Sequence, residues 1–344
     1  MLSEQQSDQA EQALGRLTIA DPLTTEPGAP GPLPRPDQEW QLRNGFAWVY
    51  YGEGSSGIER PVIMADGFNL GRSNLEWLYQ GLEADFPLIS TLRSQGRTVI
   101  LLGFEERTAS ILDNAQAATE AVLRTIAERR DYKPLIVGGF SMGGLITRYA
   151  LARMEYESID HQTELYFSYD SPHRGAVIPI ALQAFAHFIP SLVPGQENDF
   201  ARQLNSVAAR QMLWRHYNSE NGEIRQDPER GKFLQALDRV GRWPRRPRGI
   251  GVANGAGDGR GISLPPGEIA LKINGVVFPG TTLYTQATGN GTTVAELRRL
   301  LPPAARTITT DGFPELDGAL DSEVLPILRT RDNWTISALR RLWY

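Results

Sequence analysis

The 344-residue chain has no cysteine, which excludes disulfides and any cysteine-ligated metal. Histidine is nearly as scarce: His161, His173, His187 and His216 are the only four, and none follows residue 216. Long apolar runs are missing too, so stable membrane insertion is not expected. Residues Met1 to Arg16 are polar and acidic, without the apolar segment of a secretory signal, and a cytoplasmic location is expected. Positive charge is not in excess. The net charge of −5 argues against a general nucleic-acid partner. Lysine occurs only at Lys133, Lys232 and Lys272, with arginine supplying the other cations, and no function follows from that bias. Hydrophobic residues at 41% and charged residues at 22% are the balance of a folded globular protein. The length suits one large α/β domain or two small ones.

Residues 1–38 read as a flexible lead-in, Pro/Gly-rich from Pro22 to Pro36. Phe46 to Tyr50, Pro61 to Ala65, Thr98 to Leu102, Leu135 to Val137 and Leu165 to Tyr169 are short apolar strands. Helical patterns alternate with them. One starts at Ser73, whose spacing to Glu76 fits a capping box, and another carries the stripe Ile111, Ala115, Ala118, Val122 and Ile126. This alternation predicts an α/β protein with a mostly parallel sheet and helices on both faces. After Arg174 the alternation stops, and residues 176–246 are expected to form a helical lid insertion, with a simple buried helical hairpin as the alternative. The run Arg242 to Arg248 that follows reads as a solvated entry into the next strand, Gly249 to Ala253. The glycines from Asn254 to Gly259 open no helix pattern, so they fail as a phosphate-binding loop. Ala270 to Val277 and Thr281 to Gln286 are expected strands. Thr293 to Leu301 is an expected helix, with Thr293 and Glu296 as a capping box and Pro302-Pro303 as its stop. No motif supports metal, flavin or nicotinamide chemistry, so no cofactor is expected.

The chemistry concentrates in Gly139-Phe140-Ser141-Met142-Gly143-Gly144, between the strand ending at Val137 and a helical segment. A strand, a sharp turn with Gly-x-Ser-x-Gly, and a helix are the context of a nucleophile elbow. Glycines two positions either side of the serine relieve the clash of so tight a turn. The backbone N–H of Met142 then points to where an oxyanion would form.

These residues, with Asp170-Ser171-Pro172-His173-Arg174-Gly175, resemble the lipase and esterase branch of the α/β-hydrolase superfamily, over about Pro61 to Gly259. The resemblance implies an α/β-hydrolase domain over 39–344, with Ser141 as nucleophile. It implies the N–H groups of Met142 and Phe68 as the oxyanion hole, because Asp66-Gly67-Phe68 stands where the family has its oxyanion loop. Two residues compete for the acid. Asp258 follows the strand at 249–253, the commoner location and the preferred one; Asp170 ends the strand after the elbow, as in some lipases.

The family's histidine after the last strand has no counterpart, and Arg331-Asp332-Asn333-Trp334 stands near that position. Serine at its free pKa needs a base within hydrogen-bond reach, and an ordinary carboxylate such as Asp332 is a poor one. His173 is a base if recruited and a structural residue otherwise. His187 and His216 would have to swing over from the lid, and His161 is the weakest candidate. The expected function is that of a serine hydrolase or acyltransferase acting on an ester, lactone or thioester of a hydrophobic small molecule. The alternatives are a cyclase or lyase on the same fold, with Ser141 as hydrogen-bond donor, and a non-catalytic ligand-binding relative.

Overall fold

Period-two alternation in the strands separates two cores. In β3 (Val62–Ala65), Val62 and Met64 enter one core while Ile63 and Ala65 enter the other. In β4 (Val99–Phe104), Val99 and Leu101 face the first core and Ile100 and Leu102 the second. Strands apolar on both faces must be covered on both faces. One cover is α1 (Leu75–Ala84) with α2 (Leu88–Ser94), contributing Leu75, Leu78, Tyr79, Leu82 and Ile89. The other is α3 (Ile111–Glu128) with α4 (Met142–Tyr156), contributing Ile111, Ala118, Leu145, Ile146 and Leu151 among others. The computed structural model describes residues 33–344 except 85, 192–195, 220–221, 255–266, 274–276, 286–289, 301, 312–333 and 340–344.

Four more strands continue the central sheet on its parallel side or flank it: β1 (Gln38–Leu42), β2 (Gly45–Tyr50), β5 (Leu135–Phe140) and β6 (Thr163–Tyr169). With β9 (Arg248–Asn254) and β14 (Trp334–Leu339), the order across the eight-stranded sheet is β1-β2-β4-β3-β5-β6-β9-β14. Only the β1–β2 and β2–β4 pairs are antiparallel; the others are parallel. The sheet grows outward from β3, with β4 on one side and β5 on the other. Open α/β sheets bind ligands beyond the carboxyl ends of the strands at such a reversal, here β3 and β5.

Between β6 and β9 lie α5 (Ile180–Phe188), α6 (Asp199–Asn205), α7 (Val207–Met212), the two-residue strands β7 (His216–Tyr217) and β8 (Ile224–Arg225), and α8 (Pro228–Arg239). Buried glutamines tie this segment down. Gln183 donates to the Ile178 and Arg215 carbonyls and accepts from the Tyr217 N–H. Gln211 accepts the N–H of Ile111 at the start of α3. The run expected as a solvated entry is anchored: Trp243 is buried under the Arg148 guanidinium, 3.6 Å from its ring centre. The N–H groups of Arg245 and Arg246 both donate to the Glu155 carboxylate.

Local details depart from the sequence reading. The α1 helix is capped by Asn74, whose Oδ1 accepts the Trp77 N–H at 3.1 Å. Ser73 Oγ instead accepts the Phe104 N–H at 2.9 Å. The expected lead-in over 1–38 falls mostly outside the described residues, and Gln38 already pairs with Val49 in β1. The largest difference is at Thr293 to Leu301, which is not a helix. It forms β12 (Thr292–Leu300), paired antiparallel with β13 (Pro303–Thr310). With β10 (Ile269–Ile273) and β11 (Thr281–Tyr284) they build a second, four-stranded sheet in the order β10-β11-β12-β13. Phe278, Leu283, Val294, Leu297 and Ile308 form a separate core there with Ile180, Phe185 and Phe188 of α5. Tertiary burial of one strand face outweighs the helix propensity of Ala-Glu-Leu-Arg-Arg-Leu.

Candidate active site

Ser141 joins the end of β5 to the start of α4 with φ 50 and ψ −119. A non-glycine residue rarely holds such a conformation, at a cost of about 1–3 kcal/mol. Its surroundings enforce it. The Ser141 N–H donates to the Tyr169 carbonyl at 2.9 Å, fixing the turn to β6. A Cβ on Gly139 would lie 2.5 Å from the Gly143 carbonyl carbon, and one on Gly143 would lie 2.4 Å from the Ala65 carbonyl oxygen. Strand, serine and helix therefore approach one another at distances only glycine permits.

The loop after β3 faces this turn. Asp66 is buried at 2% exposure, and its N–H donates to the Leu102 carbonyl at 2.9 Å. Burial pushes the pKa of its carboxyl up, against the lowering effect of Arg107, Ser73 and the Gly67 backbone. Phe68 and Met142 are buried as well. Among the described residues no acceptor takes the N–H of Phe68, or that of Met142 at the first position of α4. Of these two unpaired donors, that of Met142 follows the serine directly, at a helix N-terminus that favours negative charge.

Asp170 ends β6 with φ 48, a second strained residue beside the elbow. Its N–H donates to the Val252 carbonyl of β9 at 2.6 Å. The competing Asp258 lies outside the described residues, as does Asp332.

His173 is engaged away from Ser141. Its Nδ1 lies 3.3 Å from Arg148 Nη1 and its Nε2 lies 2.7 Å from Ser168 Oγ. A guanidinium only donates, so Nδ1 accepts and Nε2 carries the proton, donated to Ser168. The ring also packs on Trp243 with 4.7 Å between centres. Burial and the Arg148 charge hold its pKa well below the ordinary imidazole range.

The other imidazoles are also occupied or enclosed. His161 lies at the opposite end of β6, with Nε2 3.1 Å from Glu155 Oε1 and Nδ1 accepting from the Thr163 N–H. His216 sits between Asp227 Oδ2 (3.3 Å from Nδ1) and Asn205 Oδ1 (3.2 Å from Nε2). His187 on α5 packs near Tyr217, and its Nε2 is buried without a partner among the described residues. Among the described residues no hydrogen bond joins any histidine to Ser141 Oγ. Nor does any cluster of three His, Asp or Glu fit a metal ion there. No helix is long and apolar enough to cross a membrane, again among the described residues.

The site residue that sequence reading missed is Arg107, buried at 6% exposure. Its partners in the loop after β3 are far away in sequence, and no motif marks it.

The strand order, the crossover at β3 and the strained serine between β5 and α4 together define the α/β-hydrolase fold. No protein-family model matches the chain. No curated protein matches it either. Among solved structures it is similar to the mature form of the Bacillus licheniformis lipase BlEst2, with 15% identity and a TM-score of 0.38 over 62% of this chain and 74% of that one. It spans only 39% of the propeptide form of that lipase, at 13% identity and a TM-score of 0.38 over 60% of this chain. It is also similar to esterase Est22 with p-nitrophenol, with 13% identity and a TM-score of 0.40 over 73% of this chain and 72% of that one. Likenesses at this depth carry no substrate or mechanism across.

Proposed function

We propose that the protein is a serine hydrolase or acyltransferase acting on an ester, lactone or thioester of a hydrophobic small molecule. The observation that carries this reading is the strained Ser141 at the start of α4; the N–H groups of Phe68 and Met142, which have no acceptor among the described residues, are read as its oxyanion hole. Strain of this kind persists only where the surroundings enforce it, and it gathers at functional sites.

In the proposed reaction, Ser141 Oγ attacks the acyl carbon, and its proton passes through water to the departing oxygen or sulfur. The carbonyl electron pair moves onto oxygen, where the two N–H groups stabilise it. Collapse expels the alcohol or thiol, which takes up a proton, and leaves acyl-Ser141. Water then completes hydrolysis, or a second nucleophile completes transfer. Asp170 or Asp258 supplies the acid. His173 is read as a structural residue, because its acceptor nitrogen is occupied by Arg148 and its proton is committed to Ser168. The helical segment 176–246 is read as the cover of the substrate cleft, and the location as cytoplasmic.

A second reading is favoured by one observation, the lack of an imidazole bonded to Ser141 among the described residues. In it the same cleft serves a cyclase or lyase with Ser141 as hydrogen-bond donor, or binds a ligand without turnover.

The test is intact mass after incubation with a fluorophosphonate, for the parent and for Ser141→Ala. One adduct on the parent and none on the variant supports the acylating serine. A folded parent that stays unmodified overturns it in favour of the second reading.

A further inference from the structure

We propose that Arg107 is the positioning residue of the oxyanion loop, a buried guanidinium that pins the loop on both sides of Phe68. The inference rests on Ser141 being the acylating nucleophile.

The chain leaves β3 at Ala65 into the loop 66–71, with the Ala65 and Asp66 carbonyl oxygens 2.4 and 2.5 Å from where a Cβ on Gly143 would lie. On the near side of Phe68, Arg107 Nη1 lies 3.5 Å from Asp66 Oδ2. Among the described residues the Phe68 N–H has no acceptor, which leaves it for a ligand. On the far side, Arg107 Nη2 donates to the Leu70 carbonyl at 2.8 Å and Nε to the Gly71 carbonyl at 3.3 Å. The Arg107 N–H also donates to the Gly71 carbonyl, at 3.0 Å. A planar fork can reach a carboxylate and two carbonyls at once, whereas an ammonium is a single point of charge. A further tie comes from α6, where Gln203 Nε2 donates to Asn69 Oδ1 at 3.1 Å.

A scaffolding role alone predicts lost stability, with activity following the folded fraction. A positioning role predicts loss confined to states that carry an oxyanion, because a donor displaced from the developing charge fails there and not in ground-state binding.

The experiment compares the parent with Arg107→Gln, Arg107→Lys and Asp66→Asn, each checked for folding by circular dichroism. The readouts are kcat and KM on p-nitrophenyl butyrate, the rate of fluorophosphonate inactivation, and inhibition by an alkyl boronic acid, whose serine adduct is a tetrahedral anion. Arg107→Gln is expected to lower kcat and the inactivation rate about 100-fold, and boronate affinity in parallel, with KM within about threefold of the parent. Arg107→Lys should recover part of the loss. If Arg107→Gln fails to fold, Asp66→Asn keeps the carbonyl bonds and should show a loss of about 10-fold with the same pattern. A folded variant with parental kcat and inactivation rate, or a loss confined to KM, overturns the positioning role. A parent that does not label at Ser141 instead removes the nucleophile reading, and this inference with it.

Discussion

Ser141 is where local pattern and backbone physics coincide. The Gly-x-Ser-x-Gly spacing is legible because everything it depends on lies within five residues of sequence. The strain has a consequence for stability. Ser141→Gly relieves the φ 50 conformation, and the variant should gain about 1 kcal/mol after allowing for the extra freedom of glycine in the unfolded chain. Urea denaturation would measure it, in a protein that no longer labels. The role of His173 was not legible in the same way, because Arg148 and Ser168 approach it only through the fold. Imidazoles also shape the acid limb of stability. Burial, and then the His216 charge, push His187 down to about 4, while an unfolded imidazole titrates near 6.5. Between those values the unfolded chain binds more protons. The contribution of His187 is therefore complete above about pH 6.5 and is lost as pH falls toward 4. His187→Gln should remove that part of the acid destabilisation, up to about 3 kcal/mol, in denaturant melts across this range.

At the scale of elements, strands and helices were read correctly wherever both faces of the pattern agree. The stripe from Ile111 to Ile126 is α3, and the apolar runs became β3, β4, β5 and β6. Thr293 to Leu301 was misread because its residues favour a helix and its ends carry cap-like residues. Pro302-Pro303, taken as a helix stop, instead stands at the turn between β12 and β13, and Pro303 opens an outer strand that needs no donor there. What decides the strand is burial of Val294, Ala295 and Leu297 against α5, which lies about a hundred residues earlier. The junction of β5 and α4 is less forgiving. Gly143→Ala would place a methyl group 2.4 Å from the Ala65 oxygen and 2.5 Å from the Asp66 oxygen. It should destabilise the protein by roughly 3 kcal/mol and slow phosphonate labelling, because the serine turn and the loop after β3 are pushed apart together. A urea midpoint and a labelling rate on one preparation check both parts.

For the whole molecule, a mostly parallel sheet was foreseeable as a class, whereas the second sheet was not. Its core is shared with α5: Arg299 Nη1 donates to the Phe188 carbonyl at 2.6 Å and the guanidinium lies 4.9 Å from the Phe188 ring centre. Phe278, exposed by 2%, packs against Phe185 and Phe188. Phe278→Ala should cost about 3–4 kcal/mol. Hydrogen exchange should accelerate in β11, β12 and α5 while β3 and β5 keep their protection. Residues 255–333 separate β9 from β14, the two strands that pair in parallel at one side of the central sheet. Parallel pairing across so long a separation is slow, because closing the loop must precede any reward from the contact. During synthesis β9 therefore emerges long before its outer neighbour and waits with a row of unpaired amides and carbonyls. That interval is when a nascent chain of this protein is most exposed to pairing with another copy of itself, and chaperone demand should concentrate there rather than around β3 and β5.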